Sequence, residues 1–118
     1  MRVIGIIPAR YASSRFPGKP LTDIAGKTMV ARVYEQAKKC ESLEKVIIAT
    51  DDERIFDHAE SFGADVLMTS PEHPSGTDRC MEVIDDLKKD CDFVINIQGD
   101  EPFINPKQLD ELISTLDL

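Results

Sequence analysis

Arg2-Val-Ile-Gly-Ile-Ile-Pro-Ala-Arg-Tyr-Ala-Ser-Ser-Arg-Phe-Pro-Gly-Lys-Pro-Leu21 begins with a short apolar run, Val3, Ile4, Ile6 and Ile7, that never alternates with polar residues. Such a run predicts a strand buried on both faces, as in a parallel sheet, with Pro8 as its stop. The loop from Pro8 to Thr22 then carries three cations, Arg10, Arg15 and Lys19, and no acid, in a chain where acids outnumber bases 22 to 14. A local reversal of sign in an acidic protein predicts a site for a polyanion.

The rest of the chain alternates strands with amphipathic helices. Ile24-Ala-Gly-Lys27 reads as a turn, and Thr28 as the N-cap of a helix to about Lys39 with Val30, Val33, Ala37 and Cys40 on one face. Lys45–Thr50 is the second strand. Asp51-Asp52 caps a helix whose Ile55, Ala59 and Phe62 share a face, and Gly63 is its stop. Asp65–Met68 is the third strand, and the following helix turns Cys80, Val83, Ile84 and Leu87 inward. The fourth strand is Phe93–Ile97. Asn105 caps the last helix, with Pro106 as first residue and Leu109, Leu112, Ile113 and Leu116 as the buried face. The order βαβαβαβα predicts an α/β protein with a Rossmann-like, mainly parallel sheet and helices on both faces. Ligand is then expected outside the carboxyl ends of the strands, near the point where strand order reverses.

Composition excludes several classes of function. At 118 residues, 42% hydrophobic and 31% charged, the chain is a soluble globular domain rather than a disordered tail. A net charge of -8 argues against nucleic acid or an anionic membrane as the main partner, so any anion must bind locally. Val3–Ala9 is too short to span a membrane and has no signal-peptide pattern, which places the expected location in the cytoplasm. Cys40, Cys80 and Cys91 show no CxxC spacing and read as reduced core thiols.

The loops after strands one, three and four hold the unusual residues. Pro8, Pro17, Gly18 and Pro20 fix the basic loop and allow close approach to a ligand, although a solvated basic loop is the plain alternative. No GxxxxGK[ST] or GxGxxG pattern is present. Asp100 follows the fourth strand and Gly99, where a carboxylate could hold magnesium together with phosphate oxygens, or could simply belong to a turn. Glu101 could be structural or functional. In His73-Pro-Ser-Gly-Thr-Asp-Arg79, Ser75, Gly76 and Thr77 can offer hydroxyls and main-chain N–H groups to a base or sugar, and helix capping would equally explain Ser75 or Thr77. His73 lacks the Ser or Cys partner of a general base, and His58, in mid-helix among acids, reads as a surface residue.

Pro8–Leu21, His73–Arg79 and Asn96-Ile-Gln-Gly-Asp-Glu-Pro102 together resemble the bacterial 3-deoxy-manno-octulosonate (Kdo) cytidylyltransferases, also called CMP-Kdo synthetases, in order and over nearly the whole chain. The first segment alone is also similar to related sugar nucleotidyltransferases such as CMP-sialate synthetases. The resemblance implies a nucleotidyltransferase sheet and transfer of CMP from CTP to Kdo, with release of pyrophosphate. It further implies that Arg10 and Lys19 hold the triphosphate and that Arg15 helps pyrophosphate leave. Main-chain groups from Pro8 through Ala9 to Arg10, with Ser75, Gly76 and Gln98, would recognise cytosine and ribose, and Asp100 would bind Mg2+. The implied partners are CTP and Kdo, with no nucleic acid and no membrane.

The chain is about half the length such a family leads one to expect, so residues 1–118 are read as the N-terminal CTP-binding part of a nucleotidyltransferase domain. The remaining metal carboxylate, most of the Kdo pocket and much of a homodimer interface would lie in the part that is absent. This implies weak turnover, or CTP binding with none. A sheet left with an open edge favours self-association. Light scattering should therefore find species larger than a monomer as concentration rises, and a clean monomer at high concentration would count against this.

Overall fold

The computed structural model describes residues 3–11, 18–69, 93–97 and 105–114. Strands β1 (Val3–Ala9), β4 (Lys45–Thr50), β5 (Asp65–Met68) and β6 (Phe93–Asn96) form a sheet in the order β5-β4-β1-β6, with every neighbouring pair parallel. A two-residue turn joins the short antiparallel strands β2 (Asp23–Ile24) and β3 (Lys27–Thr28), a hairpin inserted ahead of the first helix. Helices α1 (Met29–Lys38), α2 (Glu53–Ser61) and α3 (Pro106–Ser114) complete the described elements. The mainly parallel α/β sheet expected from the sequence is thus present.

Side-chain alternation in β1 and β4 divides the core between the two faces of the sheet. Val3, Ile7, Ala9, Val46 and Ile48 join Val30, Val33 and Ala37 of α1, Ile55 and Ala59 of α2, and Leu109 and Ile113 of α3. Ile4, Ile6, Ile47 and Ala49 form a second cluster, packed by Leu67 and Val94. Both faces of β1 and β4 are therefore dry, which is why neither strand alternates with polar residues. The three described helices all pack on the first face. The helix expected around Cys80–Leu87, with Cys80 and Cys91, lies outside the described residues.

Pro8 does not stop β1, contrary to the sequence reading. Val3 O accepts from Glu44 N on the β4 side and Ile6 O accepts from Ile97 N on the β6 side, each at 2.8 Å. Bonding sides alternate along the strand, so Pro8 turns its nitrogen toward β6, beyond the last β1–β6 pair at Ile6 and Asn96. The missing N–H ends that ladder while β1 continues beside β4 through the Ala9–Thr50 pair.

The helix ends follow the residues that cap them. Thr28 Oγ1 accepts from Ala31 N at 3.4 Å, Asp52 caps α2 through the N–H groups of Arg54 and Ile55, and Asn105 Oδ1 accepts from Lys107 N at 2.9 Å. Gly63, at φ 79°, supplies the left-handed residue that ends α2. Cys40 is buried and free, as expected, and its thiol donates to Asp110 Oδ1 at 3.1 Å, tying the end of α1 to α3. Burial and the neighbouring carboxylate push its pKa up to about 11, which keeps the sulfur protonated and unreactive.

Two side chains depart from expectation. Leu112 is 51% exposed because α3 meets the core along the Leu109–Ile113 row, which leans toward Asp110 and leaves Leu112 on the opposite flank. His58 is half-buried rather than a simple surface residue. Its Nε2 lies 2.6 Å from Thr28 Oγ1 and its ring meets Phe62 edge-on, joining α2 to the start of α1.

Gly5 is the narrow point of the core, since a Cβ there would sit 2.8 Å from Ile97 Cδ1 and 3.1 Å from Leu43 Cδ1. Gly5→Val should lower the free energy of unfolding by about 1–3 kcal/mol in denaturant titrations, and an unchanged midpoint would mean that Leu43 and Ile97 move aside freely. Asp52 supplies a pH dependence. Its hydrogen bonds from the Arg54 guanidinium hold its pKa below the usual carboxylate value, so its contribution is complete above the unfolded-state pKa, about 3.9, and fades as pH falls through the lower folded value. The stability difference between the parent and Asp52→Asn should accordingly shrink below about pH 4. A difference that stays constant across that range would rule out the charge as its source.

Candidate functional site

The strand order reverses between β1 and β6. The chain steps outward from β1 to β4 to β5 and then returns to the other side of β1, so the carboxyl ends of β1 and β6 flank the switch point. Pro8 and Ala9 close β1 there, with Arg10 immediately after them, and Ile97 follows β6 beside Ile6. Segments that are 91 residues apart in the chain, Ile6 and Ile97, thus leave the sheet side by side.

The basic loop is closed at its neck. Gly18 N donates to Tyr11 O at 2.7 Å, so Arg10, just before Tyr11, and Lys19, just after Gly18, stand at the two sides of one backbone hydrogen bond. Gly18 adopts φ 74°, a left-handed conformation, and a Cβ there would lie 3.0 Å from Tyr11 Cε2. Both conditions favour glycine at this position. Lys19–Leu21 then makes one 3-10 turn with Pro20 buried, which carries the chain into the β2–β3 hairpin. Arg32 of α1 pins that hairpin, donating from Nε to Ile24 O at 2.6 Å and from Nη2 to Ala25 O at 2.8 Å.

The neck is also held from the side. The Arg54 guanidinium carbon lies 3.3 Å from the centroid of the Tyr11 ring. Asp52 grips the same guanidinium, accepting from Nε at 3.1 Å and from Nη2 at 2.8 Å. This pairing raises the Arg54 pKa further above its already high value and lowers that of Asp52, so both groups are charged at neutral pH. Asp52 takes its own position from the end of β4, where its N–H donates to Thr50 Oγ1 at 3.2 Å.

Of the residues expected at the site, Pro8, Ala9, Arg10 and Lys19 are described, and all four lie at the carboxyl end of β1 or at the loop neck. Arg10 and Lys19 are half-buried and each makes further contacts. Arg15, Ser75, Gly76, Gln98 and Asp100, with His73 and Glu101, lie outside the described residues. Sequence reading missed Tyr11 and Arg54. Arg54 carries no local signal, and nothing in the spacing of two residues 43 positions apart announces a stacked pair.

Among the described residues no group of three or more His, Cys, Asp or Glu could hold a metal ion, and no helix is long and apolar enough to cross a membrane. A half-open cavity of about 140 Å³ is lined by Lys45, Ile47, Asp65, Val66 and Leu67. Lys45 and Asp65 begin their strands, so this cavity reaches the end of the sheet opposite the basic loop.

A model of the cytidylyltransferase family matches residues 4–117. The 3-deoxy-manno-octulosonate cytidylyltransferase of Cytophaga hutchinsonii is 54% identical over 114 residues, which is 97% of this chain and 46% of that protein. An Arabidopsis thaliana protein named 3-deoxy-manno-octulosonate cytidylyltransferase, mitochondrial, is 53% identical over 115 residues, 98% of this chain and 40% of that protein. Among solved structures, CMP:2-keto-3-deoxy-manno-octonic acid synthetase complexed with CTP aligns with a TM-score of 0.95 at 44% identity, covering 99% of this chain and 48% of that one. The chain spans about half the length of the curated relatives it matches. With a family match over nearly every residue and a parallel sheet whose switch point carries the basic loop, the chain belongs to the cytidylyltransferase family.

Proposed function

We propose that the chain is the N-terminal, CTP-binding part of a nucleotidyltransferase domain that transfers CMP from CTP to Kdo, giving CMP-Kdo and pyrophosphate for lipopolysaccharide assembly. The observation that carries this reading is the Tyr11–Gly18 neck at the β1 end of the switch point, which gathers Arg10 and Lys19 where an open α/β sheet receives its ligand. The names of the relatives and the CTP complex of the similar structure support the choice of nucleotide and sugar.

In this reading Arg10 and Lys19 hold the triphosphate, and Arg15 offsets charge on the departing pyrophosphate. Main-chain groups of Pro8, Ala9 and Arg10, with Ser75, Gly76 and Gln98, recognise cytosine and ribose. The anomeric hydroxyl of the sugar attacks the α-phosphorus in line. One P–O bond forms as the bond to pyrophosphate breaks, and the hydroxyl proton is lost to solvent or to a substrate oxygen. The chain's own part is to orient the triphosphate and to present fixed positive charge as negative charge shifts to the leaving group. Asp100 is the proposed magnesium ligand, and one carboxylate completed by phosphate oxygens and water is a donor set suited to that ion, which offsets phosphate charge when bound. Self-association, including a homodimer, and a cytoplasmic location belong to the same reading.

A second reading, CTP binding without turnover, is favoured by one observation: the chain covers 46% of the Cytophaga hutchinsonii relative. An assay of CMP-Kdo formation separates the two. For the nucleotide site itself, calorimetric titration should show magnesium-dependent binding of CTP in preference to UTP and ATP. Lys19→Ala should weaken that binding by about tenfold or more, the usual effect of losing a charge-assisted contact. Equal binding of all three nucleotides, or a Lys19→Ala chain that binds CTP as well as the parent, would sink the assignment.

A further inference from the structure

We propose that Arg54 is a positioning residue for the basic loop: through its stack on Tyr11 it holds the Tyr11–Gly18 neck, and so keeps Arg10 and Lys19 in the arrangement that meets a polyphosphate. This rests on the reading of the loop as a triphosphate site. It adds a residue from the next βα unit whose contribution is made without touching the ligand.

The neck has to be held by something besides its own hydrogen bond. Closing the six residues between Tyr11 and Gly18 costs loop entropy, and one backbone bond of 2.7 Å offsets only part of it. The Tyr11 ring is the natural second tie, because it fills the space that a side chain at position 18 would need. Arg54 approaches the ring centroid to 3.3 Å, closer than its charge alone requires and in keeping with a flat guanidinium lying on the aromatic face.

Asp52 is what makes this a fixed contact. Its two oxygens engage Nε and Nη2 of Arg54, and one of them also caps α2 through Arg54 N at 2.8 Å. The guanidinium plane is thereby tied to the start of a helix rooted in the core through Ile55 and Ala59. The pairing also neutralises Arg54, so a cation can sit beside the loop without repelling Arg10 and Lys19. An arginine already committed to a carboxylate is poorly suited to bind phosphate itself.

Two measurements on the full chain test the role. Amide hydrogen exchange at Gly18 reports the neck with no ligand present, and calorimetry with CTP reports the cations. Arg54→Ala should speed Gly18 exchange and weaken CTP binding by about fivefold each, the size expected from losing one exposed cation–π contact, while leaving the thermal midpoint near that of the parent. Arg54→Lys keeps the charge but loses the planar fork, and should restore neither. Unchanged Gly18 exchange in Arg54→Ala would overturn the proposal. So would faster exchange with undiminished CTP affinity in a protein whose Lys19→Ala variant does lose affinity. Restoration of CTP affinity by Arg54→Lys would also overturn it, since that is the behaviour of a direct phosphate ligand. A parent chain that is folded yet binds no CTP would refute the triphosphate reading itself, and the positioning role with it.

Discussion

The parallel pairing of β1 on both sides is the constraint on which the rest of the structure depends. With β4 along one edge and β6 along the other as far as Ile6, β1 is buried at every residue but the half-buried Pro8, and its side chains reach both core clusters. Gly5 lets Leu43 and Ile97 close over the strand, where even a methyl group would meet Ile97 Cδ1 at 2.8 Å. A strand held this firmly delivers its last residues, Pro8 and Ala9, and the loop after them to a defined place at the end of the sheet. The reversal of strand order beside β1 makes that end the place where an open α/β sheet generally receives its ligand.

Proline and glycine shape that exit in different ways. Pro8 removes one donor from the side of β1 that faces β6, so the two strands part after Ile6 and Asn96 while β1 remains paired to β4. The end of the β1–β6 ladder is thus written into one residue. Gly18 does the complementary work at the far end of the loop. Its left-handed backbone returns the chain to Tyr11, and its missing side chain leaves room for the ring. Between them the two residues define where the basic loop leaves β1 and where it returns to Tyr11.

The electrostatics of the region follow the same logic of local compensation in a chain of net charge -8. Positive charge is concentrated in the Pro8–Thr22 loop. The nearby Arg54 is cancelled by Asp52, and on the outer face of α1 Lys27 is matched by Glu35 at 2.8 Å. The Lys27–Glu35 pair is exposed and adds little to stability. The Asp52–Arg54 pair is of more interest because it couples a helix cap to an aromatic ring across the loop neck.

How much of this was legible beforehand depends on the range of the interaction. The unbroken apolar run at Val3–Ile7, the caps Thr28, Asp52 and Asn105, and the stop at Gly63 are local signals with local causes, and each describes the element that forms. The reversal of charge in the Pro8–Thr22 loop is likewise a local signal, and it marks the candidate site without needing a partner to be recognised. Pro8 misled because a proline ends pairing on one side only, and which side depends on the strand neighbours. Leu112 misled because helical periodicity defines a face but not how much of it the neighbouring elements cover. By itself the sequence determined the four strands of the parallel sheet, the described helices and the basic loop, since these carry local signals a few residues long, whereas the β2–β3 hairpin was legible only as a turn. Only the tertiary structure decided that Ile97 emerges beside Ile6, that His58 meets Thr28 and that Arg54 lies on Tyr11, because each joins residues 30 or more positions apart through a geometry the assembled sheet imposes.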